Sequence, residues 1–155
     1  MRHLIITLLA AFISMAAVAQ SSGCIYIEDF EIAPDSTLTV PVMLTNAEAT
    51  QGFQFQMLLP QGLVVEEMEL TKYSRRMKMS LAKNEKNGKW IVAVYSLEQT
   101  AFPPDTAKVI LMTLTALPEF EGGDITISKS QGSSLEYTSI NYDNSSATVT
   151  RASMQ

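Results

Sequence analysis

The sequence predicts an all-β protein, a single β-sandwich of about nine strands. From residue 20 onward, apolar residues recur with a period of two far more often than with the helical period of 3.6. Turn signals rich in Pro, Gly, Asn and Asp separate these runs at intervals of about 8–12 residues. No segment has a secure helical pattern, and no internal repeat is apparent.

Residues 1–19 have the features of a signal peptide. Arg2 precedes an apolar stretch, Leu4 to Val18, that is too short for a comfortable membrane span of about 20 residues. The small residues of Ala17-Val18-Ala19 predict cleavage before Gln20. Residues 20–155 then form one domain of ordinary size, large enough to bury a core.

A second interpretation of the amino terminus stays open. Ser21-Ser22-Gly23-Cys24 resembles the end of a bacterial lipoprotein box, in which the cysteine is lipidated after cleavage. We therefore expect a secreted or cell-surface bacterial protein, periplasmic or anchored in the outer membrane. It contacts a membrane only if Cys24 carries a lipid.

Short apolar runs at 25–27 and 30–32 begin the domain, and Pro34-Asp35-Ser36 predicts the turn that follows them. Residues 38–44 then alternate between apolar and more polar side chains, which predicts a half-buried strand. Pro41 has no amide donor, so we expect it at a sheet edge or beside a bulge.

The segment Gln51–Leu63, QGFQFQMLLPQGL, is the clearest strand of the chain. Successive side chains of a strand point to opposite faces. Phe53 and Phe55 are therefore predicted to lie in the core, and Gln54 and Gln56 are predicted to face outward. The proline and glycine near the end of the segment predict a turn.

Asn87-Gly88 predicts a two-residue hairpin, because a type I′ turn needs positive φ at both positions. The hairpin joins a strand at 77–81 to one at 90–95, which is apolar on both faces and therefore predicted to be central. Residues 66–76 are ambiguous, and we interpret them as a strand followed by a loop. Further strands are predicted at 109–117, 125–127, 135–140 and 147–150. The predicted core side chains are Phe53, Phe55, Val94, Leu111 and either Trp90 or Ile91.

Several motifs occur in a characteristic order: a Pro-Asp-Ser turn, TVPV at 39–42, Asn46, GFQFQMLLPQGL and NGKWIVAVYS. This order resembles the cohesin-like modules of bacterial extracellular proteins, which share a β-sandwich superfamily with certain carbohydrate-binding modules. The resemblance covers about Cys24 to Thr150. It implies a nine-stranded jelly roll without catalytic residues. It also implies a dockerin-like partner, a small calcium-loaded helical protein, on the sheet face that contains Gly52–Leu59.

Composition excludes several functions. The chain has 11 basic and 16 acidic side chains, and without basic clusters we predict no nucleic-acid partner. The only histidine, His3, lies in the signal peptide, which excludes Ser-His-Asp and Cys-His catalysis and histidine zinc sites from the mature chain. Cys24 is the only cysteine, at what we expect to be a flexible start, and it cannot form an intrachain disulfide.

Two ligand chemistries are compatible with the remaining residues. Oxygen ligands for calcium could come from Asp143 with Asn144 or from Asp124, but neither set forms a spaced acidic loop, so we predict no metal or other cofactor. A sugar would stack on exposed aromatic rings. The candidates are Trp90, Tyr95 and Tyr137, although the apolar run around Trp90 favours core packing.

Gln54 and Gln56 are better candidates for a surface role, because a protein partner can cover a flat polar sheet face, although plain solvent exposure also explains them. We predict a secreted, non-catalytic module that binds an extracellular dockerin-like protein. One alternative is a carbohydrate-binding module for polysaccharide. The other is a small glycosidase, which would need two carboxylates about 5–10 Å apart. The densest acidic group in the sequence is Glu66, Glu67 and Glu69, and this pattern is more typical of a solvated strand edge.

Overall fold

Two β-sheets packed face to face make up the described structure, a computed structural model covering residues 23–153. The predicted signal peptide lies outside the described residues. Within the described range, no helix has the length and hydrophobicity to cross a membrane. The elements in chain order are β1 (Gly23–Tyr26), β2 (Phe30–Ile32), β3 (Ser36–Asn46), β4 (Thr50–Leu58), β5 (Leu63–Leu70), α1 (Lys72–Arg76), β6 (Met79–Lys86), β7 (Lys89–Ser96), β8 (Asp105–Ala116), β9 (Gly123–Ser134), β10 (Ser139–Asn141) and β11 (Ser145–Arg151).

The smaller sheet has the strand order β1-β3-β8-β5, and the larger one has the order β2-β11-β9-β4-β7-β6, with β10 also paired to β9. Neighbouring strands are antiparallel except for β2 and β11, which are parallel. The predicted all-β jelly-roll sandwich is confirmed. The strand count exceeds nine because β2 and β10 are separate strands of three residues.

The alternation of β4 supplies the centre of the core. Phe53, Phe55 and Met57 are at most 4% exposed, as the period of two predicts. The ring of Phe53 lies 6.3 Å from that of Phe55 and 6.0 Å from that of Phe102, centroid to centroid. Such aromatic contacts add to the large apolar area that each ring buries.

The predicted core is right for Phe53, Phe55 and Val94 and wrong for Leu111. In β8 the two neighbours of Leu111, Ile110 and Met112, are buried, while Leu111 points to the outer side of the smaller sheet. Of the alternatives in β7, Trp90 packs against the core and Ile91 is 43% exposed. Because β7 is apolar on both faces, its pattern does not show which face is inward. In β8 the buried Met112 and Leu114 alternate with Thr113 and Thr115, and the prediction of Leu111 did not use this alternation.

The predicted turns are present. Asn87 and Gly88 have φ of 55° and 79° and join β6 to β7, as a type I′ hairpin requires. Pro41 pairs only with β8, since β1 covers β3 only from Met43 to Asn46, and a register shift follows between Val42 and Met43. Pro41 therefore lies where one side of β3 has no neighbouring strand and next to a bulge, as predicted.

The predicted loop after β5 is wrong in part, because Lys72–Arg76 forms one helical turn, α1. Thr71 caps this helix, since its Oγ1 accepts a hydrogen bond from the amide of Ser74 at 3.2 Å. The buried Ser74 hydroxyl donates to the carbonyl oxygen of Val109 at 2.7 Å. This tertiary bond to β8 holds a helix of only five residues, which is too short to be stable by itself.

Candidate functional site

The outer face of β9, β4 and β7 carries side-chain amides and a few apolar groups. Gln54 lies opposite Ala93 of β7 and Gln131 of β9, and Gln56 lies opposite Ile91. Gln54 and Gln131 are exposed, and Gln56 is partly exposed. We call this surface the glutamine face and define it by Gln54, Gln56, Ile91, Ala93, Tyr95 and Gln131.

A β-bulge in β9 adds residues to this face that the sequence pattern did not predict. The pairing of β9 with β4 shifts between Gln54 and Gln56, and Lys129 at the shift has φ of 52°. The bulge reverses the alternation of β9, so that Ser130 is buried while Lys129 and Gln131 are exposed. A non-glycine residue in the left-handed region has no reliable signal in a single sequence.

The glutamine face offers both polar and apolar contacts. Each glutamine amide can donate and accept hydrogen bonds. Beside them, Ile91 is 43% and Tyr95 is 39% exposed. Next to Tyr95, an open depression of about 270 Å³ forms where Gly52 has no side chain. A Cβ at Gly52 would lie 2.9 Å from the Val94 carbonyl oxygen, so close strand packing requires glycine there.

The outer face of the smaller sheet has a different chemistry. Threonine hydroxyls pair across its strands, Thr37 with Thr115 at 3.0 Å and Thr39 with Thr113 at 3.1 Å. Among the described residues, the side chains of the glutamine face make no hydrogen bond of this kind. The hydroxyls of these threonine pairs thus find hydrogen-bond partners within the fold. The amides of the glutamine face are left to bond with solvent or a partner.

A buried polar network supports the end of the glutamine face where β4 begins. The Asn46 amide donates to the Phe102 carbonyl oxygen and to Oγ1 of Thr50, both at 3.3 Å. The Thr50 hydroxyl lies 3.2 Å from that of Tyr142. Burial raises the pKa of Tyr142, although the hydrogen bond to Thr50 opposes the shift. These bonds fix the start of β4 between the two sheets.

The structure does not bring the three sugar-stacking candidates together. Trp90 packs against the core on the inner side of β7, while Tyr95 lies on the outer side. The two positions are about 17 Å apart along the strand. Tyr137 is 68% exposed in the turn after β9, at the same end as Tyr95. This turn occupies most of the predicted strand 135–140, which is wrong except for its last two residues, where β10 (Ser139–Asn141) begins.

Cys24 is not in a flexible start, which corrects that expectation. It lies in β1, pairs with Thr45 of β3 and forms a bridge to Asp143. Its thiol donates weakly to the Asp143 carbonyl oxygen at 3.6 Å. Burial raises the pKa of the Cys24 thiol, the charge of Asp143 adds to this, and a hydrogen bond with Ser145 opposes it. A smaller fraction of this thiol is therefore present as the reactive thiolate at neutral pH.

The acidic candidates are dispersed. Glu66, Glu67 and Glu69 are exposed on β5, an edge strand of the smaller sheet, as a solvated edge would be. Asp124 begins β9 and Asp143 follows β10. Across residues 23–153, no group of three Cys, His, Asp or Glu side chains is arranged to hold a metal ion.

One basic cluster is present, contrary to the expectation of none. Lys72, Arg75, Arg76 and Lys78 are all exposed on and after α1. Arg75 donates to the Leu70 carbonyl oxygen at 3.0 Å. The cluster is confined to α1 and the residues directly after it, on a chain of net charge −5, so the absence of a nucleic-acid partner stays a prediction.

Strand order, the two-sheet packing and the jelly-roll connections together define a cohesin-like β-sandwich. The chain is similar to the cohesin of a type I cohesin–dockerin complex from Clostridium thermocellum, with a TM-score of 0.71 and 14% identity over 85% of this chain and 100% of the other. The sixth cohesin of scaffoldin B from Acetivibrio cellulolyticus was solved with a Cel5 dockerin mutant. Its TM-score is 0.69, with 12% identity over 85% of this chain and 100% of the other. For a cohesin module of a Clostridium perfringens family 33 glycoside hydrolase, the TM-score is 0.70, with 12% identity over 85% of this chain and 99% of the other. No protein-family model matches the sequence, and no curated protein matches it.

Proposed function

We propose that this protein is a non-catalytic binding module that holds a dockerin-like protein on its glutamine face. The observation that carries the proposal is the contrast between the two outer faces. Only one of them leaves side-chain amides beside exposed apolar groups, and it contains β4, the strand on which the resemblance implies partner binding. Two cohesins of the same fold were solved with dockerins bound, which supports this choice.

The face suits protein recognition by its composition. Interfaces favour aromatic and apolar anchors surrounded by polar groups that can pair across the contact. Tyr95 and Ile91 supply the anchors, and Gln54, Gln56 and Gln131 supply amides that donate and accept. A second depression lies between Gln54, Gln56 and Gln131, and among the residues described Lys129 is the only charged side chain that lines it. A partner could therefore cover this surface without burying many charges.

A pull-down from the secretome of the source organism tests the proposal. Gln54→Lys with Gln56→Lys places two cations on the face and should abolish capture. Thr37→Lys with Thr39→Lys is the matched control, with the same spacing and charge on the opposite sheet, and should retain capture. Equal capture by both variants would place the partner elsewhere.

The carbohydrate alternative rests on exposed Tyr95 and Tyr137 and is tested on a glycan array. Polysaccharide binding that is lost on Tyr137→Ala, with the thermal midpoint unchanged, would replace the protein partner by a sugar. A glycosidase would be supported only if hydrolysis were lost on neutralising one of the acids of β5.

We further propose export with cleavage before Gln20 and an unmodified Cys24. Lipidation at Cys24 would attach acyl chains directly to β1, with no linker between the membrane and the sheet. The half-buried thiol would also have to leave its contact with Asp143. The intact mass of protein purified from the native cell envelope separates the two forms, since a lipidated chain begins at Cys24 and carries acyl chains.

A further inference from the structure

A five-residue motif, Ser-Leu-Glu-x-Thr, occurs twice in the chain, although no repeat was apparent from the strand pattern. Ser96–Thr100 reads SLEQT and Ser134–Thr138 reads SLEYT. The first begins at the last residue of β7, and the second begins at the last residue of β9. We call these two segments the twin turns.

The twin turns have the same internal hydrogen bonds. In the first copy the serine hydroxyl accepts from the amides of the glutamate at 3.2 Å and the threonine at 3.0 Å, and it lies 2.6 Å from the threonine hydroxyl. The corresponding distances in the second copy are 3.2, 3.2 and 2.6 Å. The fourth residue is left-handed in both, Gln99 with φ of 58° and Tyr137 with φ of 62°.

These bonds explain the serine and the threonine of the motif but leave its leucine and glutamate unexplained. Leu97 is 78% and Leu135 is 47% exposed, and Glu98 and Glu136 are exposed as well. Neither the core nor the turn requires these side chains. Two exposed copies of the same apolar and acidic pair instead have the character of a contact surface.

The twin turns lie side by side. β7 and β9 flank β4 and run antiparallel to it, with Tyr95 and Ser133 both opposite Gly52. The two turns therefore leave the sheet at the same end, separated by two strand spacings, or about 9.5 Å. The depression beside Gly52 continues the glutamine face up to them.

We propose that the twin turns bind one amphipathic helix of the partner, laid across β7, β4 and β9, with an apolar and a basic residue repeated every seven positions. Seven residues of a helix span about 10.5 Å and return to nearly the same face, which matches the spacing of the turns. An extended segment fits poorly, because residues on one face repeat at about 6.7 or 13.4 Å. The two glutamates, with no cation in either turn, select basic partners. The inference rests on the proposed function in assigning the helix to a protein partner.

Synthetic helical peptides test the spacing directly by fluorescence anisotropy with the full domain. One peptide repeats a Lys-Leu pair every seven residues, and a control of equal composition repeats it every five, which rotates successive pairs apart on the helix. We expect the first peptide to bind at least tenfold more tightly than the control, and we expect its affinity to fall as the salt concentration rises. Equal affinity of the two peptides would overturn the proposal.

Charge reversal on the protein supplies the second measurement. Glu98→Lys with Glu136→Lys should lower the affinity for the peptide with the seven-residue repeat at least tenfold. Glu67→Lys with Glu69→Lys makes the same change on the opposite sheet and should leave affinity within twofold. Undiminished binding by the first variant refutes the helix, even if Gln54→Lys with Gln56→Lys still abolishes partner capture. The proposal would also be refuted if the protein were a dimer and Leu97→Ser with Leu135→Ser converted it to a monomer. In that case a second copy of the chain, and not a partner helix, would cover the twin turns.

Discussion

Replacing Phe55 by alanine measures how much stability the alternation of β4 provides. The ring is 1% exposed and stacks on Phe53, with 6.3 Å between centroids and 19° between planes. A buried phenylalanine removes roughly 150 Å² of apolar surface from water, and at about 25 cal/mol per Å² this amounts to about 4 kcal/mol. Phe→Ala substitutions in cores fall in the same range, about 3–5 kcal/mol, since a cavity is left behind.

Urea unfolding monitored by the fluorescence of Trp90, the only tryptophan, provides the assay. With a slope of about 1.5 kcal/mol per M, the Phe55→Ala midpoint should fall by about 2–3 M. Gln54→Ala is the matched control, because it alters the adjacent residue on the outer side of the same strand, and it should change stability by no more than about 0.5 kcal/mol. Similar losses for both variants would mean that β4 does not alternate between core and surface, and the glutamine face would lose its basis.

Three further predictions concern the support beneath that face. Gly132→Ala should lower stability by about 1–3 kcal/mol in urea unfolding, because its Cβ would lie 2.5 Å from the hydroxyl oxygen of Tyr142. Tyr142→Phe should cost about 1 kcal/mol and remove part of the alkaline loss of stability. The raised pKa of Tyr142 keeps the folded form protonated while the unfolded tyrosine ionises, so wild-type stability falls as the pH rises above about 10. Asn46→Ala should cost about 1–3 kcal/mol in thermal unfolding, since the Phe102 carbonyl oxygen loses a buried donor.

The sequence predicts most accurately where one face of a strand is apolar and the other polar. In β4 the alternation of Phe53 and Phe55 with Gln54 and Gln56 identifies both the core and the outward residues. The hairpin is predictable for a separate reason, since Asn87-Gly88 tolerates the positive φ values that the turn needs. In both cases the signal is local and does not depend on the tertiary partner.

The missed features have different causes. Leu111 was misplaced because it lies in the continuous apolar run 109–112, although Thr113 and Thr115 beyond this run mark the outward phase of β8. Gln131 was missed because the predicted strand ended at residue 127, whereas β9 continues to Ser134, and the bulge at Lys129 reverses the phase of this continuation. The helix after Thr71 depends on a hydrogen bond to β8, which only the folded chain provides.

The two outer faces of the sandwich differ in how far the fold explains their residues. On the smaller sheet, hydroxyl pairs such as Thr39 with Thr113 satisfy each other, so folding alone gives each threonine a role. On the larger sheet, within the described residues, Gln54 and Gln131 face one another without a mutual hydrogen bond, and the exposed Leu97 has no core to join. These residues contribute little to stability, and they lie together on the glutamine face and in the turns at one end of it. At that end, the hydrogen bonds of Thr50 with Asn46 and Tyr142 hold the backbone in place. A rigid support beneath unsatisfied groups loses little entropy when a partner binds, which is the arrangement that a preformed binding surface requires.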